Sequence, residues 1–96
     1  MEKQPQPKKI KKTLTVQNQL GLHARAAAEL VKVTSEFRSD VMLNKDGLQV
    51  NGKSIMGLMM LAASKGTQVT VTVEGPDAEA CMEAVEKIFN EKFGEE

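Results

Sequence analysis

Gln68-Val69-Thr70-Val71-Thr72-Val73-Glu74-Gly75-Pro76-Asp77-Ala78 contains the switch on which the fold turns. Up to Val73 apolar and polar residues alternate strictly, the period of a strand with one buried face. Beyond Gly75-Pro76-Asp77 the period lengthens, and Ala78, Cys81, Val85, Ile88 and Phe89 share one stripe of a helix. A strand with one buried face and a helix with one buried stripe satisfy each other when helices cover a single side of a sheet.

The segments upstream extend this pattern. Ser54 precedes Ile55, Met56, Leu58, Met59, Leu61 and Ala62, a serine N-cap opening a short apolar helix that Gly66 closes. Lys45-Asp46-Gly47 separates two short runs, Asp40 to Asn44 and Leu48 to Val50, and its Asp-Gly pair is a tight-hairpin signature. Ile10, Lys12, Leu14 and Val16 alternate with Lys11, Thr13, Thr15 and Gln17, which predicts a first strand with Leu14 and Val16 inward. From Ala24, the residues Ala27, Leu30, Val31, Thr34 and Phe37 recur at helical spacing and predict a helix to about Phe37. The order β-α-β-β-α-β-α predicts an α+β fold: an open-faced two-layer sandwich with a four-stranded antiparallel sheet and three helices on one face. Residues 1–9 are polar with two prolines and read as a flexible tail ahead of one domain, 10–93. Most of Met42, Met56, Met59, Met60 and Met82 read as core filler, with Met56 and Met59 the weakest cases because their helix is apolar nearly all round.

Composition narrows the function. Ninety-six residues leave room for one core. Thirteen Lys and Arg balance thirteen Asp and Glu, so no net field draws in polyanions, and three Phe with no Tyr or Trp supply little for base stacking. Nucleic acid is therefore not an expected partner. No apolar run approaches the ~18 residues of a membrane span, and the single Cys81 cannot form an internal disulfide, which together predict a cytoplasmic protein without a membrane role. One histidine and one cysteine are too few for a typical metal centre, so neither metal nor cofactor is expected. The lysines at 3, 8, 9, 11 and 12 and the eight acidic residues after Val73 read as solvated charge.

The chemistry concentrates in Gly21-Leu22-His23-Ala24-Arg25, where a glycine turn delivers the only histidine to the start of a helix. A helix N-terminus presents unpaired N–H groups and about half a positive charge, so an anion carried on His23 would meet ready donors from Ala24 and Arg25. Neutral imidazole is a competent nucleophile near neutral pH, and the Arg25 guanidinium suits phosphoryl oxygens. The bland alternative is a histidine that merely caps the helix or lies on the surface.

Gly21-Leu22-His23-Ala24-Arg25-Ala26-Ala27, followed by Asn51-Gly52-Lys53-Ser54-Ile55-Met56-Gly57-Leu58-Met59-Met60-Leu61, resembles the histidine-containing phosphocarrier protein (HPr) family of the bacterial phosphotransferase system. The resemblance spans roughly residues 10–93. It implies that His23 receives a phosphoryl group, through Nδ1, from the phosphoenolpyruvate-dependent first enzyme and passes it to a downstream acceptor domain. It implies further that Arg25 steadies the phosphoryl group and that a serine kinase modifies Ser54. Ser54 reads equally as a plain helix cap. Ile55, Met56 and Met59 would form an exposed docking patch, where the residue pattern by itself allows core packing. The chain would act as a monomeric carrier without being an enzyme in its own right. A non-catalytic regulatory module acting through the Ser54 helix is the alternative. Ala26 stands where most members have proline, which restores an N–H and loosens the turn. Ala26-Ala27-Ala28 and Met59-Met60-Leu61-Ala62-Ala63-Ser64-Lys65-Gly66 look more like the nitrogen-related (NPr-like) branch than the sugar-transport branch.

Overall fold

The computed structural model describes residues 8–95. Its elements are β1 (Lys8–Thr15), α1 (Ala24–Thr34), β2 (Asp40–Lys45), β3 (Leu48–Asn51), α2 (Ile55–Met60), β4 (Gln68–Gly75) and α3 (Ala78–Asn90), followed by a 3₁₀ turn, Lys92–Gly94. The strands pair in the order β1-β4-β2-β3, every neighbour antiparallel. This is the open-faced sandwich that the alternation predicts. The segment read as a tail lies outside the described residues except for Lys8 and Lys9, which open β1.

β4 sits between β1 and β2, and its Val69, Val71 and Val73 are fully buried beneath the helices. Leu43 on β2, Leu30 on α1, Leu58 on α2 and Val85 with Phe89 on α3 pack into the same core. Asp46 and Gly47 both take positive φ, 51° and 85°, as a two-residue hairpin between twisted strands requires. Cys81 is buried against this core, and burial first, with the charge of Asp77 adding to it, pushes its thiol up to about 11.

Three sequence expectations need correction. α1 ends at Thr34 rather than near Phe37, because Glu36 and Phe37 donate to the carbonyls of Val33 and Thr34 in tighter three-residue turns. Phe37 still packs against the core, which is why it fits the stripe. α2 ends at Met60 rather than at Gly66, since Ala62 turns left-handed (φ 50°) and Lys45 Nζ donates to the carbonyl of Leu61 at 3.1 Å. The methionines divide: Met82 is buried, whereas Met56 and Met60 are 77% and 67% exposed and Met59 is exposed too. Helix α2 is only six residues long and buries Leu58 alone, so its apolar residues outnumber the places beneath it.

The basic and acidic stretches also meet. Lys8 pairs with Glu79 and Lys12 with Glu86 at 2.6 Å, tying β1 to α3 through exposed contacts of modest individual worth.

Candidate functional site

The loop from β1 to α1 is pinned along its length. Val16 N donates to Thr67 O at 2.9 Å, Gly66 N to Val16 O at 2.8 Å, and Leu22 N to Ala63 O at 2.8 Å. Gly21 (φ 70°) lies so close to this segment that a Cβ would stand 2.4 Å from Ala63 O, so the turn admits only glycine without a shift. Leu22 is buried, and the next residue, His23, is the N-cap of α1 with extended backbone (φ −79°, ψ −178°).

His23 makes no side-chain hydrogen bond to the first amides of α1, while its carbonyl receives Ala27 N at 2.8 Å. The bland capping role is therefore not filled by the ring. Ala24 and Arg25, both exposed, begin the helix, and Ala26 is buried in its first turn. The amides of this turn have no partner within the helix. His23 is half-buried, and beside it Gln19, Leu20, Arg25, Gly94 and Glu95 line an open hollow of about 390 Å³. One hollow thus brings together His23, Arg25 and the start of α1.

The structure adds two residues that sequence reasoning missed. His23 Nε2 is in hydrogen-bond contact with the Glu95 carboxylate, whose other oxygen accepts from Asn18 Nδ2 at 2.8 Å. Asn18 is fully buried and also donates to Gly21 O at 2.7 Å, so it braces the turn and the carboxylate together. Donation from Asn18, followed by His23 and the nearby Arg25 charge, holds the Glu95 carboxyl below the usual range, against the opposing effect of burial. The route to Glu95 starts at α3: buried Phe93 meets Phe89 edge-on and turns the chain back toward His23. A lone aromatic past the last helical stripe was the available signal.

Ser54 caps α2, its Oγ accepting from Gly57 N at 3.0 Å. Ile55, Met56 and Met59 are exposed. Met59 and Leu20 line a second hollow against His23, and Leu20, 71% exposed, is a member of this apolar surface that its isolated place in a polar loop concealed. Among the described residues, no cluster of His, Cys, Asp and Glu has the make-up of a metal site, and no helix is long and apolar enough to cross a membrane.

The family described as "PTS HPr component phosphorylation site" matches residues 10–91. The chain belongs to the HPr family. The phosphocarrier protein HPr of Xylella fastidiosa is 49% identical over 83 residues, 86% of this chain and 93% of the relative. Among solved structures, an HPr from Thermoanaerobacter tengcongensis superposes with a TM-score of 0.87 at 42% identity, covering 91% of this chain and 98% of its own. The Bacillus subtilis protein Crh, described as a dimer with a swapped domain, has a TM-score of 0.71 at 41% identity, covering 96% of this chain and 97% of its own. Membership makes this HPr-family chain a phosphocarrier of the phosphotransferase system, not an enzyme, and disfavours the purely regulatory alternative.

Proposed function

We propose that His23 is the residue on which this carrier holds its phosphoryl group, taking it from the first enzyme of the phosphotransferase system and giving it to a downstream acceptor domain. The observation that supports this most is the place of the ring: half-buried at the N-cap of α1, free of the helix amides, and in one hollow with Arg25. The amides of Ala24 and Arg25, which have no partner within the helix, and the Arg25 guanidinium suit a phosphoryl group that must be stabilised yet remain reachable. Transfer is in-line, with positioning supplied largely by the partner proteins.

Ile55, Met56 and Met59 form the docking surface for donor and acceptor alike. Exposed thioethers adapt to more than one partner, and Met59 reaches the hollow beside His23. Ser54 is the site of a regulatory serine kinase: a phosphate adds about −1.5 to −2 charge at the edge of that apolar surface. The chain works as a monomer in the cytoplasm.

The test is incubation with phosphoenolpyruvate and a first enzyme, read by intact mass before and after brief acid treatment. An acid-labile phosphate that is absent from His23→Ala is the expected result. Equal labelling of that variant would move the phosphoacceptor elsewhere.

A further inference from the structure

His23 Nδ1 and Nε2 are not equivalent in this fold. Nε2 contacts the Glu95 carboxylate, and the ring makes no hydrogen bond to the amides of α1. Glu95 is itself held at its second oxygen by buried Asn18. An ionised carboxylate only accepts hydrogen bonds, so the partner in this contact must carry the hydrogen. We infer that Glu95, held by Asn18, is a positioning residue for His23: its carboxylate keeps the ring proton on Nε2 and so leaves the Nδ1 lone pair as the nucleophile.

This inference rests on His23 being the phosphoacceptor, and it explains how one nitrogen is selected. On the incoming step the Nδ1 lone pair attacks phosphorus and a P–N bond forms. The donor's bond to phosphorus breaks, and its electron pair stays with the donor. The ring is then a phosphorylated imidazolium that still carries its Nε2 proton, and its positive charge faces the Glu95 carboxylate. On the outgoing step a nucleophile of the acceptor domain forms its bond to phosphorus as the P–Nδ1 bond breaks, and the electron pair of that bond returns to Nδ1. No proton moves at His23 in either direction, so uptake and release need no general acid or base on the carrier. The cationic ring is also the better leaving group, and Glu95 favours that form.

The arrangement is indirect in sequence and firm in space. Glu95 lies 72 residues from His23 and is delivered by the 3₁₀ turn, which packs against α1 and α3 and is anchored by Phe93 on Phe89.

The test uses the full chain and Glu95→Gln, which keeps size and hydrogen bonding while removing charge. Nitrogen-15 NMR of the unphosphorylated imidazole at neutral pH reads the tautomer directly. The expected result is a proton on Nε2 in the unaltered chain and a mixture of tautomers in the variant, whose amide can either accept or donate. Transfer to an acceptor domain is expected to slow about tenfold in Glu95→Gln, the scale of one charge-assisted hydrogen bond. A proton on Nδ1 in the unaltered chain, or a tautomer and transfer rate unchanged by Glu95→Gln, would overturn the inference while leaving His23 phosphorylation intact. Absence of any label on His23 in the unaltered chain would instead remove the reading on which it rests, and the transfer role of Glu95 with it.

Discussion

The ring of Phe93 stands edge-on to that of Phe89, with centroids 4.9 Å apart and planes at 61°, and this pair fixes the C-terminal turn to the end of α3. Lys92 and Phe93 both take left-handed backbone (φ 57° and 55°), a conformation that costs energy outside glycine and that the buried aromatic pair sustains. Phe93→Ala is expected to lose roughly 3–5 kcal/mol in urea unfolding. The same variant releases Glu95, so the His23 ring resonances shift as they do in Glu95→Gln. A loss under ~1 kcal/mol would show that the turn is held by something else.

Replacing Met56 and Met59 with Lys removes apolar surface already facing solvent. Unfolding free energy is expected to change by no more than ~0.5 kcal/mol per site, while the KM for the carrier as substrate of the first enzyme rises. A large loss of stability with unchanged KM would return these side chains to the core.

Ser54 separates capping from charge. Ser54→Ala loses the bond to Gly57 N and is expected to cost about 1 kcal/mol, measured by chemical denaturation. Ser54→Asp caps as well as serine, so stability is retained while the added charge beside Ile55 weakens docking. Equal transfer rates in the two variants would argue against a regulatory site there.

Asp77 joins α3 to the turn before β2. It accepts from Ser39 Oγ at 2.5 Å and from the amides of Ser39 and Arg38, each at 2.9 Å. The Ser39 hydroxyl first, then the Arg38 amide, holds its carboxyl below the usual aspartate range. A carboxyl depressed in the folded chain binds its proton more readily once unfolded. Its contribution is therefore complete above the ordinary aspartate value of ~3.9 and is lost as pH falls through the depressed one. The gap in Tm between the unaltered chain and Asp77→Asn is expected to be widest near neutrality and to shrink in acid. A gap that stays constant down to the acid transition would contradict this.

What the sequence disclosed follows from where the physics is local. Val69, Val71 and Val73 alternate because one sheet face is buried, and Asp46-Gly47 turns because its backbone demands it, so both were legible. His23 and Arg25 were legible because a glycine turn and a helix start are written in adjacent residues. α2 was not, since a six-residue helix apolar on every side gives periodicity no direction, and only packing shows that Leu58 alone turns inward. Its end was hidden because Lys45, at the end of β2, satisfies the Leu61 carbonyl. Glu95 was least legible of all: it reaches His23 through a tertiary path set by Phe93, and it looked like one more member of an acidic end.

Cys81 gives the molecule a gauge of its own motion. Its thiol is on the buried face of α3, and its raised pKa leaves little thiolate near neutrality, so the closed fold shields it from an alkylating reagent. Reaction is expected to require local opening of α3. As the only cysteine in the chain, it makes the rate of modification a count of those openings, and that count separates a variant that merely breathes more often from one that has lost its reactive surface.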